Sequence, residues 1–550
     1  MKIKIIKLFL IVIQIFVYTN IFSSNYYIDP QNGTMKNDGS FNNPWSTLDS
    51  VMQSKYSQFV GGDTLFLRDG FHGNDISLDG NPSAPIVIIA QSGSKPILLN
   101  LKITGSNWTL NNLNFTPEGN EGNGIPGTFD NGTFLILSIT SKNNIIQNCN
   151  FYSGLNVSNW EIIDWRKNVW SGIKDYGKSN VIRNNHLFNI AYALQLMEVC
   201  DSADIVGNVI ENFSGDGIRI AGADYCLIES NVIKNSIELD SNTQDGNHED
   251  GIQAWDFDDG VNGLIVRGNY ILNYENPNQK FKGLLQGIGF FDGFYNNCII
   301  ENNIVIVEHW HGISLYGAKD SRIINNTVLP NPGGSRKAGP PWIGIFSHKD
   351  GRKSTGNIVR NNLATNSNLN NSGADIDHNI FNRSVYKFCE NYNAFDFYPN
   401  PDFTLNGKSI IDSGDSLDAP VIDFNGTKRP QGNGYDIGAY EYSDSISFVV
   451  DNYIENKFNL FQNYPNPFNP FTTIQYSIPI VATHELPLQQ HVQLKVYDIL
   501  GKEIITLVNQ KQKMGNYQIE FNATELPSGI YFYTLKVGKY FQTKKMLLLK

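Results

Sequence analysis

Through the middle of the chain, short apolar runs recur in a fixed order. The segments Asn180-VIRNNHLFN, Ala203-DIVGNVIEN, Cys226-LIESNVIKN, Leu264-IVRGNYILN, Cys298-IIENNIVIV, Ser321-RIINNTVLP and Asn357-IVRNNLATN each hold an apolar pair, a polar pair with Asn, and a second apolar run. Asn144-IIQNCNFYS and, more weakly, Trp108-TLNNLNFTP continue the series upstream. The shortest spacing is about 22 to 25 residues, and longer gaps mark inserted loops. Runs this short, bounded by Asn and Gly, predict β-strands joined by tight turns. One such unit cannot bury its apolar side, whereas about nine stacked units share a continuous core. Leucine-rich repeats have a similar period but need a Leu framework and helical backs, which are missing. The prediction is an all-β chain dominated by a right-handed parallel β-helix, with Asn at one bend of successive coils forming a hydrogen-bonded ladder.

A second pattern aligns with the first. Tyr192-ALQLMEV, Gly215-DGIRIAG, Glu249-DGIQAWD, Leu285-QGIGFFD, Trp310-HGISLYG and Pro341-WIGIFSH occupy the strand just before the Asn-rich run. Ile218, Ile252, Ile288 and Ile313 should point inward. Gln195, Arg219, Gln253, Gly289 and Ser314 should form one outward column, and Met197, Ala221, Trp255, Phe291 and Tyr316 the next, since coils stack about 4.8 Å apart. The insertions Asn235–Glu249, Tyr274–Leu285 and Pro330–Pro341 all enter before this strand, so they should wall a groove over those columns.

Composition fits a turn-rich β protein. Charged residues make up 17% of the chain, below the usual quarter, while Gly reaches 49 residues. The net charge of −11 argues against nucleic-acid binding, which needs a basic face. Five widely spaced cysteines without a CxxC pair argue against a disulfide framework or a zinc site. Cys226 and Cys298 stand at equivalent repeat positions and read as small core residues. Lys2, Lys4 and Lys7, then an apolar stretch from Leu8 to Val17 and small residues at Ser23 and Ser24, predict a signal peptide over residues 1–24. A membrane anchor is the alternative, disfavoured because the apolar run is short for a span.

The start of the mature chain, Tyr26-YIDPQNGTMKNDGSFNNPWSTLDSV followed by Gly62-DTLFLRDG, resembles the opening of pectate-lyase-like β-helix proteins, including the alginate-lyase and chondroitinase-B-like families. That resemblance implies a short helix at about Trp45–Gln58 covering the first coil, whose open sheet edges need a lid. The helix-like solenoid is expected over residues 25–442, closed by Asp423-FNGTKRPQGNGYDIGAYEY, with a linker at 443–457. From Phe458 the pattern changes to longer alternating strands punctuated by Leu-Gly and Pro-Ser-Gly turns, which predict a small antiparallel sandwich of about seven strands. Its motifs YPNPFNP, VYDILG, LPSGIYFY and the terminal KKMLLLK resemble the C-terminal sorting domain of type IX secretion substrates. The resemblance implies Sec export, handling by the type IX machinery, and a secreted or surface-attached product. A monomer is expected.

The groove supplies candidate chemistry. Arg219, Gln253, Gln286 and Trp255, with Lys280 and Lys282 from the second loop, Arg336 and Lys337 from the third, and His309, suit binding of an acidic polysaccharide, because cations pair with carboxylates and aromatic faces pack on sugar rings. The β-helix resemblance then implies uronate β-elimination or C5-epimerisation. Both reactions neutralise a carboxylate and move the C5 proton. Arg219 and Gln253 are candidates for neutralisation, as is a calcium ion held by Glu249, Asp250, Asp256, Asp258 or Asp259, since calcium prefers clustered oxygen ligands. His248 or His311 would be the base, and Tyr316 or a lysine the proton donor. A glycoside hydrolase is the alternative: Asp216 and Asp250 stand at equivalent positions on neighbouring coils, near the separation that retaining enzymes use. A non-catalytic glycan-binding surface protein is the third reading.

Overall fold

The computed structural model describes residues 23–117, 132–239, 249–256, 260–334, 339–370, 372–443, 459–460, 463, 468–478, 490–498, 502–512, 515–537 and 540–549. The expected signal peptide, apart from Ser23 and Ser24, and the linker beyond Ser443 lie outside these.

The repeats wind into a parallel β-helix. Each full coil gives one strand to each of three parallel sheets, of 13, 12 and 11 strands. The 13-stranded sheet runs from Asn25–Ile28 to Asp375–Asp377, the 12-stranded sheet from Gly70–Phe71 to Ile380–Phe381, and the 11-stranded sheet from Ile76–Leu78 to Asn366–Asn368. Strands of three residues suffice because each needs only one inward side chain. In the 13-stranded sheet that residue is Ile146, Ile182, Ile205, Ile228, Val266, Ile300, Ile323 and Val359, paired coil to coil and all fully buried. Only the second member of most apolar pairs faces the core. Its predecessor, such as Val181, Leu227 or Ile299, is half-exposed, as period two requires.

The bend after this strand sets the register. The residue there adopts a left-handed conformation in every repeat: Asn184, Gly207, Ser230, Gly268, Asn302, Asn325, Asn361 and His378. From Asn184 onward the next residue is Asn, and from Asn185 to Asn362 its side chain is buried under the turn; in the two coils before these, Leu113 and Cys149 stand there instead. The amide of Asn231 donates to Ile205 O at 2.9 Å and to Asn269 Oδ1 at 3.0 Å. Its own Oδ1 accepts from the Asn208 backbone and side chain at 2.9 and 3.0 Å. The same arrangement runs from Asn185 through Asn208, Asn231, Asn269, Asn303, Asn326 and Asn362 to Asn379. The ladder satisfies backbone carbonyls that would otherwise be buried without partners.

The first coil is lidded as expected, by a helix at Leu48–Lys55 and a 3-10 turn at Tyr56–Gln58, with Leu48, Val51 and Met52 inside the core. The far end differs from the expectation. The parallel strands stop at Phe381, and residues 382–442 turn back over the outer face of the 12-stranded sheet. The reason is written in that sheet, where Leu272, Ile304, Ile306, Leu329 and Leu363 point outward and need cover. Val385, Phe388, Phe397, Ile410, Ile437 and Ala439 provide it. A fully buried Arg429–Glu441 ion pair at 2.7 Å pins this segment. All five cysteines are buried and free.

The C-terminal strands form two antiparallel sheets, one of three strands (Asn459–Leu460, Phe471–Ile478, Gly515–Asn522) and one of four (Gln490–Tyr497, Glu503–Gln512, Gly529–Val537, Tyr540–Leu548), around their own apolar core.

Replacing Asn231 by Ala strips a donor from two buried acceptors and an acceptor from two buried donors. Unfolding in urea should show a loss of about 3 kcal/mol, whereas Lys178→Ala, which removes an exposed ion pair with Asp201, should cost less than about 1 kcal/mol.

Candidate active site

The corner entering the 11-stranded sheet is built on glycine. A Cβ at Gly217 would stand 2.6 Å from Ile233 Cγ2, and one at Gly312 would stand 2.4 Å from Val328 Cγ1. Gly251 and Gly287 are equally confined. With no room inside the corner, the preceding residues form a column on the outside of the coil. That column is Asp216, Asp250, Gln286 and His311; Asp250 pairs with Gln286, and Asp216 Oδ1 accepts the Asp250 amide hydrogen at 3.1 Å.

The column borders a cleft of about 550 Å³. Its floor is Gln253, Gln286, Phe291, His311 and Tyr316, and Glu249, Glu238, Leu284, His309, Trp310, Asp292 and Lys349 line its sides. The described parts of the inserted segments are tied together. Ile237 and Lys282 form an antiparallel bridge, and the Glu238 amide donates to Phe281 O at 3.0 Å. Tyr274 donates its hydroxyl to Glu308 at 2.9 Å and accepts the Asn331 side chain at its carbonyl at 3.0 Å.

Three carboxyl groups are buried at this edge. Asp216 and Glu249 are each 3% exposed and Asp250 is 0% exposed. Arg219 meets Asp216 Oδ2 at 2.9 Å, its guanidinium held between the rings of Tyr192 and Trp255 at 4.5 and 4.6 Å. Asp250 Oδ2 accepts from Gln253 at 2.9 Å. Among the described residues, none donates a hydrogen bond to Asp250 Oδ1 or Gln286 Oε1. Burial pushes the Asp216 carboxyl up to about 6 against the pull of Arg219. Burial also lifts Asp250 well above the carboxylate range, with the Asp216 and Glu249 charges adding to it. Glu249 rises to about 8, from burial first and then from the charges of Glu238 and Asp216. Among the described residues, the cation paired with this group is Arg219.

Opposite the acids, His311 Nδ1 lies 2.8 Å from Ser314 Oγ, which also accepts the Trp342 indole at 3.0 Å. The His311 amide donates to His309 Nδ1 at 3.1 Å. The Tyr316 hydroxyl is raised by burial and by Asp292, which is itself ion-paired with Lys349.

The cleft therefore gathers Glu249, Gln253, Gln286, His309, His311 and Tyr316 of the expected set. Asp216, Asp250, Arg219 and Trp255 stand beside it, bound to one another or stacked. Lys280 and Lys282 do not line it: Lys280 is held by Glu161 at 2.6 Å and Trp160 O at 3.1 Å, and Lys282 by Pro277 O at 2.6 Å. His248, Asp258, Asp259, Arg336 and Lys337 lie outside the described residues. Glu249 and Asp256 flank opposite ends of the strand Asp250–Trp255, about 20 Å apart, so one calcium ion cannot use both. Asp256 accepts the Gly260 amide. Among the described residues, three possible metal-ligand atoms converge at Asp377, His378 and Asp415, where Asp377 is already ion-paired with Arg360. Sequence reasoning missed Glu238, Asp292 and Lys349. They lie at the ends of strands and loops, where no periodicity marks direction.

Residues 462–549 match the family model of the secretion system C-terminal sorting domain. The chain is thus exported by the type IX system to the cell surface or the medium. No curated protein matches the sequence. Among solved structures, the chain is similar to pectate lyase Pel9A (18% identity, 77% of this chain and 98% of that one, TM-score 0.41). It is also similar to the Dettilon tailspike protein (17%, 61% and 62%, 0.41) and to the A-module of the Azotobacter vinelandii mannuronan C-5 epimerase AlgE6 (11%, 61% and 94%, 0.37).

The raised carboxyl has a consequence for stability. A group whose folded pKa exceeds its unfolded value stabilises below the unfolded value and loses that contribution as pH rises through the folded one. For Glu249 the window runs from 4.5 to about 8. Glu249→Gln should therefore melt higher than the parent protein at pH 8 and no higher at pH 4.5, as read by thermal denaturation at both values.

Proposed function

We propose that the protein is a secreted glycan hydrolase in which Glu249 is the proton donor and Glu238 the carboxylate that activates water. The observation that carries this reading is the burial of Glu249 at the cleft among Asp216 and Asp250, with Arg219 as their paired cation. A carboxyl taken out of water beside other carboxyls keeps its proton to higher pH. It then serves as a general acid at neutral pH.

In the proposed step, water attacks the anomeric carbon and gives its proton to Glu238. The glycosidic C–O bond breaks, and the leaving oxygen takes the Glu249 proton. Gln253 and Gln286 orient the sugar through its hydroxyls. The fold and the sorting domain fit an extracellular enzyme, and residues 1–24 would act as its Sec leader.

The uronate lyase or epimerase reading keeps one specific support: His311 and Tyr316 share the cleft, a base beside a proton donor. It is weaker on charge. Arg219, the expected neutraliser of the substrate carboxylate, is engaged by Asp216, and the Glu238 carboxylate lines the cleft.

The test is an assay of the secreted protein on neutral glycans (glucan, mannan, xylan) and on polygalacturonate and alginate. New reducing ends should appear from a neutral glycan, without the ultraviolet absorbance of an unsaturated uronate. Glu249→Gln should lower the rate by about 10²- to 10⁴-fold, activity should fall as pH rises past about 8, and chelator should leave it unchanged. Absorbance that survives Glu249→Gln and disappears in His311→Ala would replace this reading with a lyase.

A further inference from the structure

Two acceptor oxygens lie buried on neighbouring coils at the border of the cleft. Asp250 and Gln286 pair in register, on strands that stand about 4.8 Å apart. Both residues are buried. Asp250 Oδ2 accepts the Gln253 side-chain N–H at 2.9 Å. Among the described residues, none donates to Asp250 Oδ1 or to Gln286 Oε1. Each of these oxygens is an acceptor without a donor, and neither can serve the other unless a proton lies between them. The charges around the pair call for the same proton. Asp216, Glu249 and Asp250 are buried together, and among the described residues their paired cation is Arg219, 2.9 Å from Asp216. Three ionised carboxylates would leave two buried charges uncompensated. Burial, helped by the Asp216 and Glu249 charges, outweighs the pull of Arg219 and keeps the Asp250 carboxyl protonated well above the usual range.

We infer that Asp250 is a positioning residue whose Oδ1–H donates to Gln286 Oε1 while its Oδ2 accepts from Gln253, fixing which end of each glutamine amide meets the substrate. This rests on the glycan reading above and deepens it. Gln253 commits its N–H side to Asp250, so its Oε1 is turned away. Gln286 commits its oxygen, so its NH₂ is turned away. Both glutamines line the cleft, which therefore receives an acceptor from one coil and a donor from the next. A sugar hydroxyl both donates and accepts, so it fits that pair, giving its proton to Gln253 Oε1 and taking one from Gln286 Nε2. A carboxylate only accepts and would oppose Gln253 Oε1, so the pair favours an uncharged, hydroxyl-bearing part of the glycan. The proton on Asp250 sets this pattern. An ionised Asp250 would draw the Gln286 N–H to itself and turn a second acceptor toward the sugar.

The test is difference infrared spectroscopy of the full secreted protein near neutral pH, parent against Asp250→Asn. Asn keeps both bonds, because its NH₂ can donate to Gln286 while its oxygen accepts from Gln253. The difference should hold the carbonyl band of a protonated carboxyl and no carboxylate band. In a Gln286→Leu background that band should move to higher wavenumber, as the carboxyl loses its acceptor. A carboxylate band in the difference would overturn the inference, since Gln286 would then donate to an ionised Asp250; an unmoved band in Gln286→Leu would overturn it too. On a glycan that the protein cleaves, Asp250→Asn should hold KM within about threefold and Asp250→Leu should raise it about tenfold. A kcat lost in Asp250→Asn as fully as in Glu249→Gln would make Asp250 a reacting carboxylate and sink the inference. The infrared reading needs no substrate, so a protein that cleaves no glycan would sink only the hydrolytic reading.

Discussion

Everything in this molecule depends on successive coils stacking in register. A parallel strand of three residues has little hold on its neighbour, so register comes from the bend, where a left-handed residue and a buried Asn recur in coil after coil. Each Asn bonds the coil before it and the coil after it. A slip by one residue would turn every inward Ile outward and would also leave each Asn amide facing no carbonyl. Because the register is strict, a residue type repeated at one coil position becomes a column on the surface.

The cleft is a product of that rule. The glycine corner is needed to turn the chain into the 11-stranded sheet, and the residue before it has nowhere to go but out. That single constraint lines up Asp216, Asp250, Gln286 and His311. The described ends of the inserted segments meet the coil at this corner, and the acids there are covered. Covering them removes water, and removing water raises Asp216, Glu249 and Asp250. The arrangement costs stability near neutral pH, and such costs concentrate at functional sites. The same sheet places Phe291 and Tyr316 in the cleft with the acids, and glycine at 289 leaves space for the Phe291 ring.

Much of this was legible in the sequence. The Asn-rich runs marked the coils, the DGI, QGI and HGI segments marked the cleft strand and its outward columns, and the gaps between repeats marked the loops. The C-terminal motifs were specific enough to identify the sorting domain. What could not be read was which outward residues would be covered. Arg219 looks like a substrate cation until its partner Asp216 and the rings of Tyr192 and Trp255 are seen around it. Lys280 looks like a groove residue until Glu161, from a distant insertion, claims it. Glu238 and Lys349 sit in loops, where direction depends on contacts rather than on period. The turn-back at Phe381 was hidden because Leu272, Ile304 and Ile306 read as ordinary core, and only the fold shows that a second layer covers them.

The central claim is that the cleft cleaves a glycosidic bond by adding water across it. The direct measurement is cleavage in water enriched in heavy oxygen, with product masses read by mass spectrometry. The account predicts one heavy oxygen at each new reducing end. A product that carries none and is lighter by the elements of water, with an unsaturated terminal sugar, would contradict it.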